Sequence, residues 1–117
     1  MIEYIGIDLG GTNFKAGRVS QGVIHTEASN PVHRNCTESE LFTSLFATVD
    51  AVITENTTAI GVGVPGIVDP IAGVIYDLMN LPVLKEVALK KILEDRYAVP
   101  VFLNNDANCF AKGEHIY

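Results

Sequence analysis

The residues with the clearest capacity for chemistry lie together near the amino terminus, in the sequence DLGGTN. Gly10 and Gly11 remove two Cβ atoms and permit positive φ, so the backbone N–H groups of this turn can bind an anion such as a phosphate. The side chains of Thr12 and Asn13 add hydrogen-bond donors. Asp8 would repel the anion unless a cation bridges the two, and the Mg²⁺ carried by a nucleotide is a common bridge. The segment therefore predicts a nucleotide-phosphate site; the structural alternative is a tight hairpin that needs glycine for its turn.

Composition excludes several classes of partner. The chain has 117 residues, of which 48% are hydrophobic, which is typical of one compact domain. Fourteen acidic residues against eight basic ones give a formal charge of -6, without a cluster of Lys and Arg, so neither a nucleic acid nor an anionic membrane is an expected partner. No apolar run approaches the ~20 residues that span a bilayer, and the amino terminus does not resemble a signal peptide. The expected compartment is the cytoplasm.

The first half of the chain predicts a meander followed by a helix. Three runs rich in β-branched residues are separated by the turn signals GGT and QG, at residues 2–9, 13–20 and 22–28. A loop is predicted at Asn30 and Pro31. Apolar residues then recur at helical spacing over residues 37–56, and Thr37 with Glu40 forms the pattern of a capping box.

The second half predicts strands that alternate with helices. Residues 58–64 form an apolar run typical of a strand covered on both faces, so its neighbours should be parallel. Two short strands around an Asp-Pro turn follow. A helix over residues 87–97 and a buried strand over 99–104 come next, and a further helix begins after them. This order predicts an α/β domain of the ribonuclease-H-like plan, a mixed five-stranded sheet with an antiparallel meander and flanking helices.

Three motifs resemble one family. The sequence IGIDLGGTNFKAG resembles the first phosphate motif of the superfamily that contains sugar kinases, actin and heat-shock-chaperone ATPases, and its GGTNFK form is most similar to hexokinases and ROK sugar kinases. VGVPGIVDP followed by NLP resembles the sugar-side segment of ROK kinases, and VFLNNDANCFAKGE resembles their catalytic segment. The motifs occur in the family's order over residues 4–114. The resemblance implies the actin-like ATPase form of the ribonuclease-H-like fold.

The resemblance also implies roles on the acceptor side. Asp106 in the N-D-A-N motif would be the base that takes the proton of the attacking hydroxyl. Asn105 would hydrogen-bond a sugar hydroxyl, and Gly66 and Asn80 would lie against the sugar. From the residues alone, Asp106 is equally well explained as a helix cap, Gly66 as part of a turn and Asn80 as a loop residue.

On the phosphate side, the resemblance implies that the DLGGTN segment binds the phosphates of ATP and Mg²⁺. Lys15 shares a strand face with Asn13 and would lie near the transferring phosphate, although a solvated edge lysine is an equal alternative. The family's zinc segment belongs to its C-terminal half. From the residues themselves no metal-ligand set is expected here, because the two cysteines lack Cys-x-x-Cys spacing and no histidine lies at metal-ligand spacing; Cys36 and Cys109 are interpreted as reduced packing residues.

The implied activity is that of an ATP-dependent, glucokinase-like sugar kinase, which transfers the γ-phosphoryl of ATP to a hydroxyl of a hexose or N-acetylhexosamine. Such kinases are about twice this domain-sized length or more. Residues 1–117 are therefore expected to be the N-terminal domain, with the second domain absent from this chain. The chain alone should fold but be inactive. We expect a homo-oligomer that hides exposed apolar residues such as Ile67, Ile75 and Leu78; the alternative is that these residues pack internally and the chain stays monomeric.

Two other functions remain open from the sequence. One is a non-enzymatic, sugar-sensing ROK regulator; the helix-turn-helix of ROK repressors is not expected, because the first strand begins at Ile2. The other is an actin-like or chaperone-like ATPase, which would share the first motif without needing the sugar segment or the N-D-A-N base.

Overall fold

The computed structural model describes residues 2–10, 13–33, 36–64, 67–76 and 86–104. Within these ranges lie eight strands and two helices. In chain order they are β1 (Glu3–Leu9), β2 (Asn13–Ser20), β3 (Val23–Pro31), α1 (Glu38–Asp50), β4 (Thr57–Gly63), β5 (Ile67–Asp69), β6 (Val74–Tyr76), β7 (Glu86–Val87), α2 (Leu89–Tyr97) and β8 (Val101–Asn104).

Five of the strands form one mixed sheet in the order β3-β2-β1-β4-β8, which confirms the predicted fold. β2 is antiparallel to both β1 and β3, whereas β4 is parallel to both β1 and β8. β3 continues to Pro31, where a loop was predicted. Proline is tolerated at this position because β3 is an edge strand, so one side of its backbone needs no strand partner.

The two faces of the sheet differ in composition. One face, here the helix face, carries the alternating residues Ile5, Ile7 and Leu9 of β1, which are almost fully buried in the core formed with α1 and α2. The opposite face, here the glycine face, carries Gly6 and Asp8 of the same strand. Because paired residues lie on the same side of a sheet, the partners of Gly6 in the neighbouring strands, Gly17 and Gly61, lie on the glycine face as well.

α1 begins with the predicted capping box. The hydroxyl of Thr37 accepts a hydrogen bond from the amide of Glu40 at 3.1 Å, and the Glu40 carboxylate accepts one from the amide of Thr37 at 2.9 Å. The helix ends at Asp50, earlier than its apolar periodicity predicts: the amides of Val52 and Ile53 both donate to the carbonyl of Val49, and reciprocal bonds between Thr54 and Thr57 then form a turn before β4. Neither described helix is long and apolar enough to cross a membrane.

β5, β6 and β7 form a second, antiparallel sheet. The predicted turn between β5 and β6 is present: a carboxylate oxygen of Asp69 accepts from the amides of Ile71 and Ala72, each at 3.1 Å. β7 was not predicted, because a strand of two residues is too short to show alternation. Ile75 is fully buried, so the expectation that it would be exposed was wrong; it lies in the core with α2. The Ile67 side chain and Leu78 lie outside the described residues.

Candidate functional site

Asp8 and Lys15 lie opposite one another on β1 and β2, near the turn that joins these strands. Both side chains are exposed on the glycine face, as alternation predicted for Lys15. Together with other residues of the meander they line a cavity of about 390 Å³. An exposed carboxylate is a hard oxygen ligand of the kind Mg²⁺ prefers, and a lysine is a common phosphate ligand. The charges at this position therefore fit a magnesium-bound phosphate.

At Gly10 the described contacts are those of the hairpin, the structural alternative that the sequence left open. Its amide donates to the carbonyl of Asn13 at 3.0 Å and closes the hairpin. A Cβ on Gly10 would lie 2.9 Å from that carbonyl oxygen, closer than real Cβ atoms approach backbone. The positive φ allowed for at Gly10 is not found, whereas Gly22 and Gly73 do have it. Since the amide is used within the hairpin, Gly10 could assist a phosphate through its bare Cα rather than its N–H.

A single row of paired residues crosses all five strands on the glycine face. Asp8 pairs with Gly63 of β4, and Gly63 pairs with Asn104, the last residue of β8. On the other side, Asp8 pairs with Lys15, which pairs with Ser29 of β3. Two strand spacings of about 4.8 Å separate Asp8 from Asn104. The row therefore brings the phosphate side within about 10 Å of the end of β8.

The parallel strands end together at this row. The amide of Val64 donates to the carbonyl of Asn104 at 2.8 Å, which holds the carboxyl end of β8 beside that of β4. Ligands of open α/β sheets bind at such carboxyl ends. The predicted base Asp106 is two positions beyond Asn104 in the sequence.

Of the predicted site residues, Asp8, Gly10, Asn13 and Lys15 are described. Gly11, Thr12, Gly66, Asn80, Asn105 and Asp106 lie outside the described residues, so their roles stay predictions. Asn13 is exposed at the start of β2. Among the residues that the structure covers, no cluster of three or more His, Cys, Asp or Glu could hold a metal ion, and Cys36 is a half-buried free thiol.

Sequence reasoning missed three residues near the site. Ser29 and Glu27 of β3 line the cavity beside Lys15, and Asn104 ends the row. Ser29 and Glu27 could have been found from the meander. Extending the β2–β3 register toward Pro31 places Ser29 opposite Lys15 and Glu27 opposite Gly17. Asn104 could not, because the register of a parallel pair is not set by a local turn.

Comparison with known proteins places these features in context. A model of the ROK family matches residues 4–117. The chain is 31% identical over 115 residues to the glucokinase of Thermotoga maritima, covering 97% of this chain and 36% of the relative. It is 30% identical to the N-acetyl-D-glucosamine kinase of Aliivibrio fischeri over 95% of this chain and 37% of that protein. The chain thus spans about a third of the length of these curated relatives.

Solved structures show the same fold. The crystal structure of a ROK family glucokinase from Streptomyces griseus in complex with glucose and AMPPNP matches with a TM-score of 0.77 and 29% identity, over 97% of this chain and 36% of that one. A ROK family transcriptional regulator, a homolog of the E. coli MLC protein, matches with a TM-score of 0.66 over 90% of this chain and 28% of that one. At 20% identity, the second match concerns the fold alone.

Proposed function

The chain belongs to the ROK family, and we propose that it is the N-terminal part of an ATP-dependent sugar kinase. The reaction is transfer of the γ-phosphoryl of ATP to a hydroxyl of a hexose or an N-acetylhexosamine, as in a glucokinase. Support comes from relatives named glucokinase and N-acetyl-D-glucosamine kinase. The observation that carries the proposal is the row in which Asp8 and Lys15 lie level with the end of β8.

Different parts of the row would bind the phosphates and the acceptor. In the part of the row that the meander supplies, the Asp8 carboxylate would hold Mg²⁺, directly or through water, and Lys15 would bind a phosphate oxygen. Mg²⁺ neutralises the charge that builds on the phosphates during transfer. Gly11, Thr12 and Asn13 would contribute hydrogen-bond donors to the phosphates at the turn.

At the β8 end of the row, the chain would hold the acceptor. Asn105, Asn80 and Gly66 would orient the sugar so that one hydroxyl points at the γ-phosphorus. Asp106 would accept the proton of that hydroxyl as its oxygen forms the new bond to phosphorus and the bond to the ADP oxygen breaks. Since the relatives are about three times as long as this chain, the rest of the protein would bind the remainder of ATP.

The test is a substrate screen on the protein encoded by the complete reading frame. ADP release is measured by coupled enzymes with glucose, mannose, N-acetylglucosamine and N-acetylmannosamine, and with glycerol and a nucleoside as controls. We expect at least one sugar to stimulate turnover. Stimulation by glycerol or the nucleoside alone, or by nothing, would overturn the proposal.

A second candidate is a sugar-sensing regulator, because the chain is also 32% identical over 123 residues to a protein named as a putative xylose repressor from a Caldicellulosiruptor species. The two functions differ in one measurement. Saturable sugar binding by calorimetry, without ADP release from ATP at any sugar concentration, would identify the regulator.

A further inference from the structure

Two adjacent ion pairs on α2 have the same spacing and different surroundings. Lys90 and Glu94 are joined at 2.9 Å, and Lys91 and Asp95 at 2.8 Å, each four residues apart. The Lys91 and Asp95 side chains are 76% and 66% exposed, as is common for surface pairs. Those of Lys90 and Glu94 are only 31% and 35% exposed, because they face β8.

The Lys90–Glu94 pair binds both backbone groups of Val101, the first residue of β8. The Lys90 ammonium donates to the Val101 carbonyl at 2.6 Å, and the Glu94 carboxylate accepts from the Val101 amide at 3.1 Å. β8 is an edge strand, and on its paired side the amides of Ile60 and Val64 donate to the carbonyls of Pro100 and Asn104, the positions that flank and end the strand. The pair therefore occupies the place that a neighbouring strand would take beside Val101.

Lys90 also contacts the turn between β5 and β6. Its amide donates to the carbonyl of Gly73 at 3.2 Å. A Cβ on Gly73 would collide with the Lys90 side chain, and Gly73 has a φ of 73°, so only glycine fits there without strain. The Lys90 ammonium lies 5.5 Å from the centre of the Phe102 ring. One residue of α2 thus holds the β5–β6 turn and the start of β8 together.

We propose that Lys90 and Glu94 are positioning residues for the phosphoryl acceptor. β8 leads to Asn105 and Asp106, and the β5–β6 hairpin belongs to the segment predicted to contact the sugar. The side chains of the pair fix Val101 against α2, and the Lys90 backbone amide fixes Gly73 against the same helix, so the pair sets the placement of the strand before the base relative to the sugar segment. The inference rests on the proposed kinase function, because placement matters only if Asp106 acts on a bound sugar.

The test compares Lys90→Met with the matched control Lys91→Met in the protein encoded by the complete reading frame. Misplacement of reacting groups by about 1 Å can cost up to ~10²-fold in rate. We expect Lys90→Met to lower kcat roughly 10- to 100-fold, with the KM for ATP unchanged because the phosphate side is not held by α2. Lys91→Met should change neither value. Lys90→Arg keeps the charge and the hydrogen-bond donors, so it should lose less of kcat than Lys90→Met.

An activity-independent readout accompanies the kinetics. Amide hydrogen exchange at residues 101–104 should accelerate in Lys90→Met and in Glu94→Gln, and stay unchanged in Lys91→Met. A wild-type kcat in Lys90→Met, with the variant folded at the assay temperature, would overturn the positioning role. So would equal effects in the two lysine variants. If the wild-type protein phosphorylates no sugar, the proposed function fails, while the exchange data still report whether the pair holds β8.

Discussion

The two sides of the candidate site are built in different ways. The phosphate hairpin, β1 and β2 with Asp8, Gly10 and Lys15, is held by the backbone ladder of two consecutive strands. The proposed acceptor side, the β5–β6 hairpin with α2 and β8, has backbone ladders of its own, but it is also held by side chains that bind backbone, such as Lys90 on Val101 eleven residues away. A substitution in the hairpin must therefore act on the strands themselves, whereas one in α2 can move a strand without breaking it.

Because of this difference, we expect substitutions on one side to change folding stability and substitutions on the other to change the position of the reacting groups. A ladder of antiparallel strands tolerates loss of a side chain but not a steric clash with its backbone. A side-chain clamp can be removed by one substitution while the sheet remains. Substitutions on the phosphate side should therefore lower the free energy of unfolding, whereas substitutions on the acceptor side should lower kcat.

The largest expected effect is on the acceptor side, at Asp106. Asp106→Asn should lower kcat by ~10² to 10⁴ with little change in the KM for sugar, because the amide keeps hydrogen bonds but cannot take the proton. Steady-state kinetics on the protein from the complete reading frame give both values, with Asp95→Asn as the exposed control. A loss confined to KM would mean that Asp106 only binds the substrate.

On the phosphate side, Gly10→Ala should lower the free energy of unfolding by about 1–3 kcal/mol, because its Cβ would press on the Asn13 carbonyl. Gly17→Ala is the matched control on the same hairpin. Its Cβ would lie 3.3 Å from a methyl group of Ile24, a side chain that can move, so the change should stay below about 1 kcal/mol in either direction. Urea unfolding measures both, and equal losses would contradict the steric explanation of Gly10.

Thr37→Ala tests whether the site depends on general stability. Loss of the capping box of α1 should cost about 1 kcal/mol in the free energy of unfolding. Thr37 precedes the first turn of α1, whereas α1 contacts α2 near its other end, through Phe46 and Asp50, so kcat and both KM values should be unchanged below the unfolding transition. A fall in kcat like that expected for Lys90→Met would remove the distinction between placement and stability.

The smallest effect concerns pH. The Lys90 ammonium and the Val101 amide hold the pKa of Glu94 below its usual value of 4.5. Because the folded-state pKa is lowered, the stabilisation is present above about pH 4.5 and is lost as the pH falls through the folded-state pKa. Wild type should therefore lose stability more steeply than Glu94→Gln below pH 4.5 in acid unfolding, and Asp95→Asn should follow wild type. Parallel curves for wild type and Glu94→Gln would show that the Lys90–Glu94 pair adds nothing measurable to the free energy of unfolding.

The sequence alone determines the parts of this molecule that depend on neighbouring residues. The three-strand meander, the capping box of Thr37 and Glu40 and the turn at Asp69 follow from alternation, helical spacing and local side-chain bonds. The shared face of Asn13 and Lys15 follows from the same period of two. The motifs also identify the ROK family, which comparison confirms.

Only the tertiary structure decides the relations between distant segments. The register that sets Asp8 level with Asn104 depends on how β1, β4 and β8 align across two crossovers, and no local period fixes that alignment. The burial of Ile75 and the pairing of β7 depend on packing against α2 and β6. Lys90 and Lys91 look equivalent in the sequence, since each has an acid four residues later. Only the orientation of α2 against β8 distinguishes them. It leaves the Lys91–Asp95 pair exposed on the surface and directs the Lys90–Glu94 pair onto the backbone of Val101 in β8.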